Sequence, residues 1–96
     1  MIEDIVIIGA SGLAKEVAFL IEDINKDKKQ WNVLGFIDEN DKHVGLEINN
    51  KPIIGTDSWI LKQNKSINIA FGIGSSHLIK KISTEFMDNN LLKFPN

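Results

Sequence analysis

The chain has 96 residues, 43% hydrophobic and 25% charged, with a net charge of −2 and no cysteine. That length sets one domain at most, over residues 1–96, with a single core near the small end of the usual range. The missing cysteines exclude disulfides, thiolate catalysis and sulfur-ligated metals, and the charge balance argues against a nucleic-acid surface, which needs a basic patch. No apolar stretch has the length that spans a bilayer, and no basic region precedes the short apolar run at the N-terminus. A cytoplasmic address without a membrane partner is expected.

Along the chain, Ile5 to Ile8 is a continuous apolar run that suits a strand buried on both faces of a parallel sheet. It breaks at Gly9-Ala10-Ser11-Gly12, and a helix follows. Leu13, Val17, Leu20, Ile21 and Ile24 fall on one stripe of it, the face expected to pack on the sheet. Lys26, Lys28 and Lys29 close that helix as a solvated basic end. After the polar connection Asn25 to Gln30, Trp31 to Asp38 reads as a second strand, ended by Glu39-Asn40-Asp41.

Residues Lys42 to Lys51 read as an excursion or short hairpin. Pro52-Ile53-Ile54-Gly55 is a short third strand, and Thr56 or Asp57 caps a brief helix through Leu61. Ile67 to Phe71 forms a fourth strand closed by Gly72 and Gly74. A last helix from Ser75 or Ser76 carries Leu78, Ile79, Ile82 and Phe86, and Leu91 to Phe94 begins a final strand. This order predicts an α/β fold: a small Rossmann-like three-layer domain with a mostly parallel sheet of four to five strands and right-handed crossovers.

In such sheets ligands collect beyond the carboxyl ends of the strands, where the strand order reverses. Gly9 to Gly12, Asp38 and Gly72 to Ser76 all fall at such ends. The glycines let backbone approach a ligand, and the first helix amides carry partial positive charge, so an anion suits the first turn. Asp38 is placed either to accept from ribose hydroxyls or to serve as a solvated turn residue beside Glu39 and Asp41. The full G-x-G-x-x-G fingerprint is absent, which weakens a dehydrogenase reading. No catalytic or metal residue is assigned: His43 and His77 show no partner at metal-ligand spacing, and Ser11, Ser75 and Ser76 lack a base. Trp31 and Trp59 read as packing residues.

Taken together, Ile7 through Ala18, Val33-Leu34-Gly35-Phe36-Ile37-Asp38, Pro52 through Asp57 and Ile69 through Gly74 resemble the N-terminal domain of the NeuD/PglD-like sugar acyltransferases, which acetylate sialic acids or UDP-linked amino sugars. The resemblance implies a domain that holds the nucleotide or sugar end of the substrate. It also implies a following left-handed β-helix, outside this chain, that binds acetyl-CoA, supplies the histidine base and trimerises. Two positions depart from the family pattern: Leu13, often histidine, and Ile79, where an arginine is common after a polar pair near Ser75 and Ser76.

The leading expectation is therefore a nucleotide-sugar-binding domain of an acetyl-CoA-dependent sugar O- or N-acetyltransferase. Its substrate site would comprise Gly9, Ala10, Ser11, Gly12, Asp38, Gly72, Ile73, Gly74 and Ser75. The segment itself is expected to hold no cofactor, to be catalytically silent because no histidine has a partner to orient it, and to be monomeric. A homotrimer is expected for the full-length protein. The alternative is a free-standing Rossmann-like module that binds a dinucleotide or CoA.

Overall fold

Ile5 to Ile8 are all buried, and their alternation divides the core in two. Val6 and Ile8 pack with Ile37, Ile60, Ile67 and Ile69 on one face. Ile5 and Ile7 pack with Ala14, Ala18, Ile21, Phe36 and Ile53 on the other. The computed structural model describes residues 2–10, 12–63, 66–73, 80, 92 and 93. Among these, strand β1 (Glu3–Ile8) is followed by helix α1 (Gly12–Asp27), β2 (Trp31–Ile37) and a single 3-10 turn (Asp41–His43). Then come β3 (Glu47–Ile48), β4 (Lys51–Gly55), helix α2 (Asp57–Leu61), β5 (Ile67–Phe71) and β6 (Leu92–Lys93).

The sheet runs in the order β3-β4-β2-β1-β5-β6. Strands β4, β2, β1, β5 and β6 are mutually parallel, and β3 adds antiparallel to β4 at the edge. Helix α1 contributes Ala14, Ala18 and Ile21 to one face and α2 contributes Ile60 to the other, which makes the fold an α/β three-layer domain as expected. The predicted last helix, with Leu78, Ile79, Ile82 and Phe86, lies outside the described residues. No helix among the described residues is long and apolar enough to cross a membrane.

Two irregularities in register set the inner faces. Ile5 pairs with Val33 but Val6 pairs with Gly35, so Leu34 is an extra residue in β2. The bulge resets the alternation and returns Phe36 to the side of Val33. Gly35 sits at φ +153°, where a Cβ would meet the Pro52 carbonyl oxygen at 2.3 Å; no other residue fits. Ile54 is the corresponding extra residue in β4, between Ile53 opposite Phe36 and Gly55 opposite Ile37.

Helix α1 corrects one expectation. Its buried residues are Ala14, Ala18 and Ile21, with Val17 partly buried, whereas Leu13, Leu20 and Ile24 are exposed, Leu20 by 60%. The backbone comes so close to the sheet that alanine, not leucine, fits beneath it: Ala14 lies against Gly72, whose missing Cβ would stand 2.6 Å from the Ala14 Cα. At the far end Asn25 stitches the helix to β2, its Oδ1 accepting from the Gln30 and Trp31 amides and its Nδ2 donating to the Trp31 carbonyl.

The region 42–51 resolves into the 3-10 turn and a hairpin. Asn49 and Asn50 both hold positive φ, 51° and 67°, the conformation of a two-residue type I′ turn, with Ile48 paired to Lys51 across it. Asparagine reaches that conformation more readily than most residues. Thr56 stands at the N-cap of α2, its hydroxyl engaged with Ser58 rather than with the helix amides.

Candidate functional site

The connections reverse direction at β1. From β1 the chain passes through α1 to β2 on one side, and after α2 it returns to β5 on the other. The crevice at the carboxyl ends of β1 and β5 is therefore the topological switch point, the usual ligand position in a sheet of this kind.

Backbone hydrogen bonds lace the strand ends together there. The Gly9 amide donates to the Ile37 carbonyl at 2.7 Å, Gly72 to Ile8 at 2.8 Å and Asp38 to Gly55 at 3.1 Å. Gly9 holds φ +113°, and a Cβ on it would meet the Gly72 carbonyl oxygen at 2.6 Å. Glycine at 9 and at 72 is thus required by packing as much as by any ligand. Ile73 is half-buried against the core beneath α2, and Ala10 against the core beneath α1.

Gly12 differs from both. It is the exposed first residue of α1, and a Cβ on it would meet nothing within 4 Å among the described residues. The first turn of α1 carries no acidic residue, so nothing there offsets the partial positive charge of the helix start. Of the expected site residues, Gly9, Gly72 and Ile73 come together, with Ala10 and Gly12 following Gly9 into α1. Asp38 stands one strand away. Ser11, Gly74 and Ser75 lie outside the described residues, as do Ser76 and His77.

Asp38 is the first residue past β2, and its side chain is only 16% exposed. Its Oδ1 accepts from the Asn40 amide at 3.0 Å, and its Oδ2 lies 2.8 Å from His43 Nδ1. Burial pushes its pKa up, but the Asn40 amide, the His43 ring and the Glu39 amide outweigh that push and hold the carboxyl below its ordinary value. The carboxylate is therefore ionised at neutral pH and accepts hydrogen bonds only.

The His43 contact corrects the expectation that no histidine here has an orienting partner. Asp38 and His43 are five residues apart, too far for a strand or helix pairing rule to join them. The 3-10 turn brings them together: Asn40 caps it through its side chain on the Lys42 amide, and the His43 amide donates to the Asn40 carbonyl. A polar run bearing Asp, Asn and His was the available signal, and only turn chemistry reads it.

No curated protein sequence matches the chain. Among solved structures, the crystal structure of RSP, a Rex-family repressor, superposes with a TM-score of 0.58 at 14% identity, covering 99% of this chain and 53% of that one. This chain spans about half the length of that structure, and the likeness is one of fold. The family match is to the PglD N-terminal domain over residues 4–86. That range runs from within β1 past the Gly72 turn and takes in both glycine turns, the bulged second strand and the Asp38 turn; the chain belongs to the PglD N-terminal domain family.

Proposed function

We propose that the chain is the nucleotide-sugar- or sugar-binding domain of an acetyl-CoA-dependent sugar O- or N-acetyltransferase that works as a cytoplasmic homotrimer. One observation carries the reading: the glycine-lined crevice at the switch point between β1 and β5 has an ionised, anchored carboxylate at the next strand end. A nucleotide offers the matching pair of features. Its phosphates suit the exposed start of α1 at Gly12, and its ribose hydroxyls suit Asp38. Gly72 and Ile73 line the remainder. Acetyl-CoA would bind outside this chain, in a β-helix that follows it in the acyltransferases of this family.

The test is an NMR titration of the 96-residue domain with UDP-sugars, CMP-sugars, NAD and CoA. Shifts at Gly9, Gly12, Asp38 and Gly72 on adding a nucleotide sugar are expected. Preferential binding of NAD or CoA would overturn the reading in favour of a redox or regulatory module, and silence toward the whole panel would make this an interaction domain.

A further inference from the structure

The Asp38 carboxylate can only accept, so the hydrogen on the 2.8 Å contact must sit on His43 Nδ1. In the neutral ring the other nitrogen, Nε2, then carries a lone pair and no hydrogen. That is the opposite of an unconstrained histidine that donates through Nε2. Nε2 has no hydrogen-bond partner among the described residues, and the side chain is 47% exposed.

The ring is also held from its backbone. The His43 amide donates to the Asn40 carbonyl at 3.0 Å, and the Leu46 amide donates to the His43 carbonyl at 3.1 Å. Asp38 itself is fixed by the Asn40 amide. An acceptor is thus held in place, of fixed tautomer, one side chain away from the carboxylate assigned to the ribose.

We propose that His43 is a ligand-contacting residue whose Nε2 accepts a hydrogen bond from a ribose hydroxyl of the bound nucleotide. This rests on the nucleotide-sugar reading above. It makes Asp38 a residue with two tasks: one carboxylate oxygen faces the His43 ring and sets its tautomer, while the remaining lone pairs stay available to the ligand. It also implies selection for ribonucleotides over deoxyribonucleotides, since a deoxyribose lacks one of the two hydroxyl donors that the paired acceptors would engage.

Two variants separate contact from positioning. His43→Asn keeps an N–H donor near the place of Nδ1 but removes the distal acceptor, and His43→Ala removes both. UDP and CMP, with their 2′-deoxy and 3′-deoxy forms, are titrated against the intact chain and each variant. His43→Asn is expected to weaken the ribonucleotide by about tenfold and to leave unchanged the affinity of the deoxy form that lacks the contacted hydroxyl, while His43→Ala, which also takes the partner from Asp38, weakens the ribonucleotide at least as much. Ring-nitrogen NMR of the free protein should show the neutral ring protonated at Nδ1.

Wild-type affinity in His43→Asn, or equal weakening of ribo and deoxy forms, would reduce His43 to a positioning residue for Asp38 and overturn the contact. A neutral ring protonated at Nε2 would overturn it as well. If the unaltered chain binds neither UDP nor CMP, the nucleotide-sugar reading falls and takes this inference with it. If it binds them and the His43 variants bind equally well, only the inference falls.

Discussion

The glycine crevice after β1 and the acidic turn after β2 sit at neighbouring strand ends, yet they are built from opposite materials. The crevice is backbone. Gly9 and Gly72 touch where any side chain would collide, and α1 rides on Ala14 close against Gly72. The turn is side chain. Asp38, Asn40 and His43 hold one another through bonds at the protein surface, with little of the core depending on them. Residues that look equally functional in the sequence therefore answer to different constraints: the fold demands the first set and tolerates loss of the second. Gly12 belongs with the second set although it lies in the first region.

The largest effect should come from Gly72→Val. Its side chain would drive into the Ala14 Cα and Ile7 Cγ2, at 2.6 Å and 3.0 Å from the Cβ alone, and part α1 from the sheet. A loss of about 3 kcal/mol in urea unfolding is expected. An unchanged midpoint would mean that the crevice is not held by packing.

Gly12→Val should do the reverse. With no atom of the described residues within 4 Å of the added Cβ and no positive φ to relieve, stability should hold to within about 0.5 kcal/mol. Nucleotide-sugar binding should fall below detection, because the branched side chain fills the space before the helix start. Retained affinity in calorimetry would move the ligand away from this turn.

Asp38→Ala sharpens the contrast at the second region. It removes a charge-assisted acceptor, so affinity for the nucleotide sugar should drop by about 1.5–3 kcal/mol, with unfolding shifted by no more than about 1 kcal/mol. If affinity is untouched and only stability moves, the carboxylate is a turn residue alone.

The smallest effect is a pH dependence. Because the folded Asp38 carboxyl lies below its ordinary value, it adds stability above the unfolded value of about 3.9. That stability is lost as the pH falls through the lower folded value. Urea midpoints measured from pH 5 downward should show this acid step in the wild type and lack it in Asp38→Asn. Parallel curves would remove the Asn40 and His43 contacts from the folded state.

Among the described residues, the strands and helices were legible because each carries its own pattern. The apolar runs Ile5 to Ile8 and Ile67 to Phe71 become β1 and β5 nearly residue for residue, and Asp57 to Leu61 becomes α2. Misread was which face of α1 goes inward, since a hydrophobic stripe marks the sheet side only when helix and sheet keep an ordinary distance. Here Gly72 shortens that distance, and Ala14 and Ala18 take the places where leucines were expected. The hairpin was one of two expectations for residues 42–51, and its turn could have been placed at Asn49-Asn50, two residues tolerant of positive φ between Ile48 and Ile53. The Asp38–His43 pair needed the turn itself, because no periodicity joins positions five apart across a 3-10 segment.

The position of β1 also has a consequence in time. It precedes the other described strands in the chain and lies inside the finished sheet, yet Ile5 waits for Asn68 and Ile8 for Phe71 before its second edge is covered. Only then can the buried Asn68 side chain donate to the Asp4 carbonyl, a bond spanning two-thirds of the chain. Until β5 arrives, the nascent chain holds β1 with one open edge, and Val6 and Ile8 still lack Ile67 and Ile69 from their side of the core. Such an open edge is prone to pairing with neighbouring chains. Slowing synthesis between α2 and β5 should therefore lower the yield of folded domain more than slowing it after Phe71.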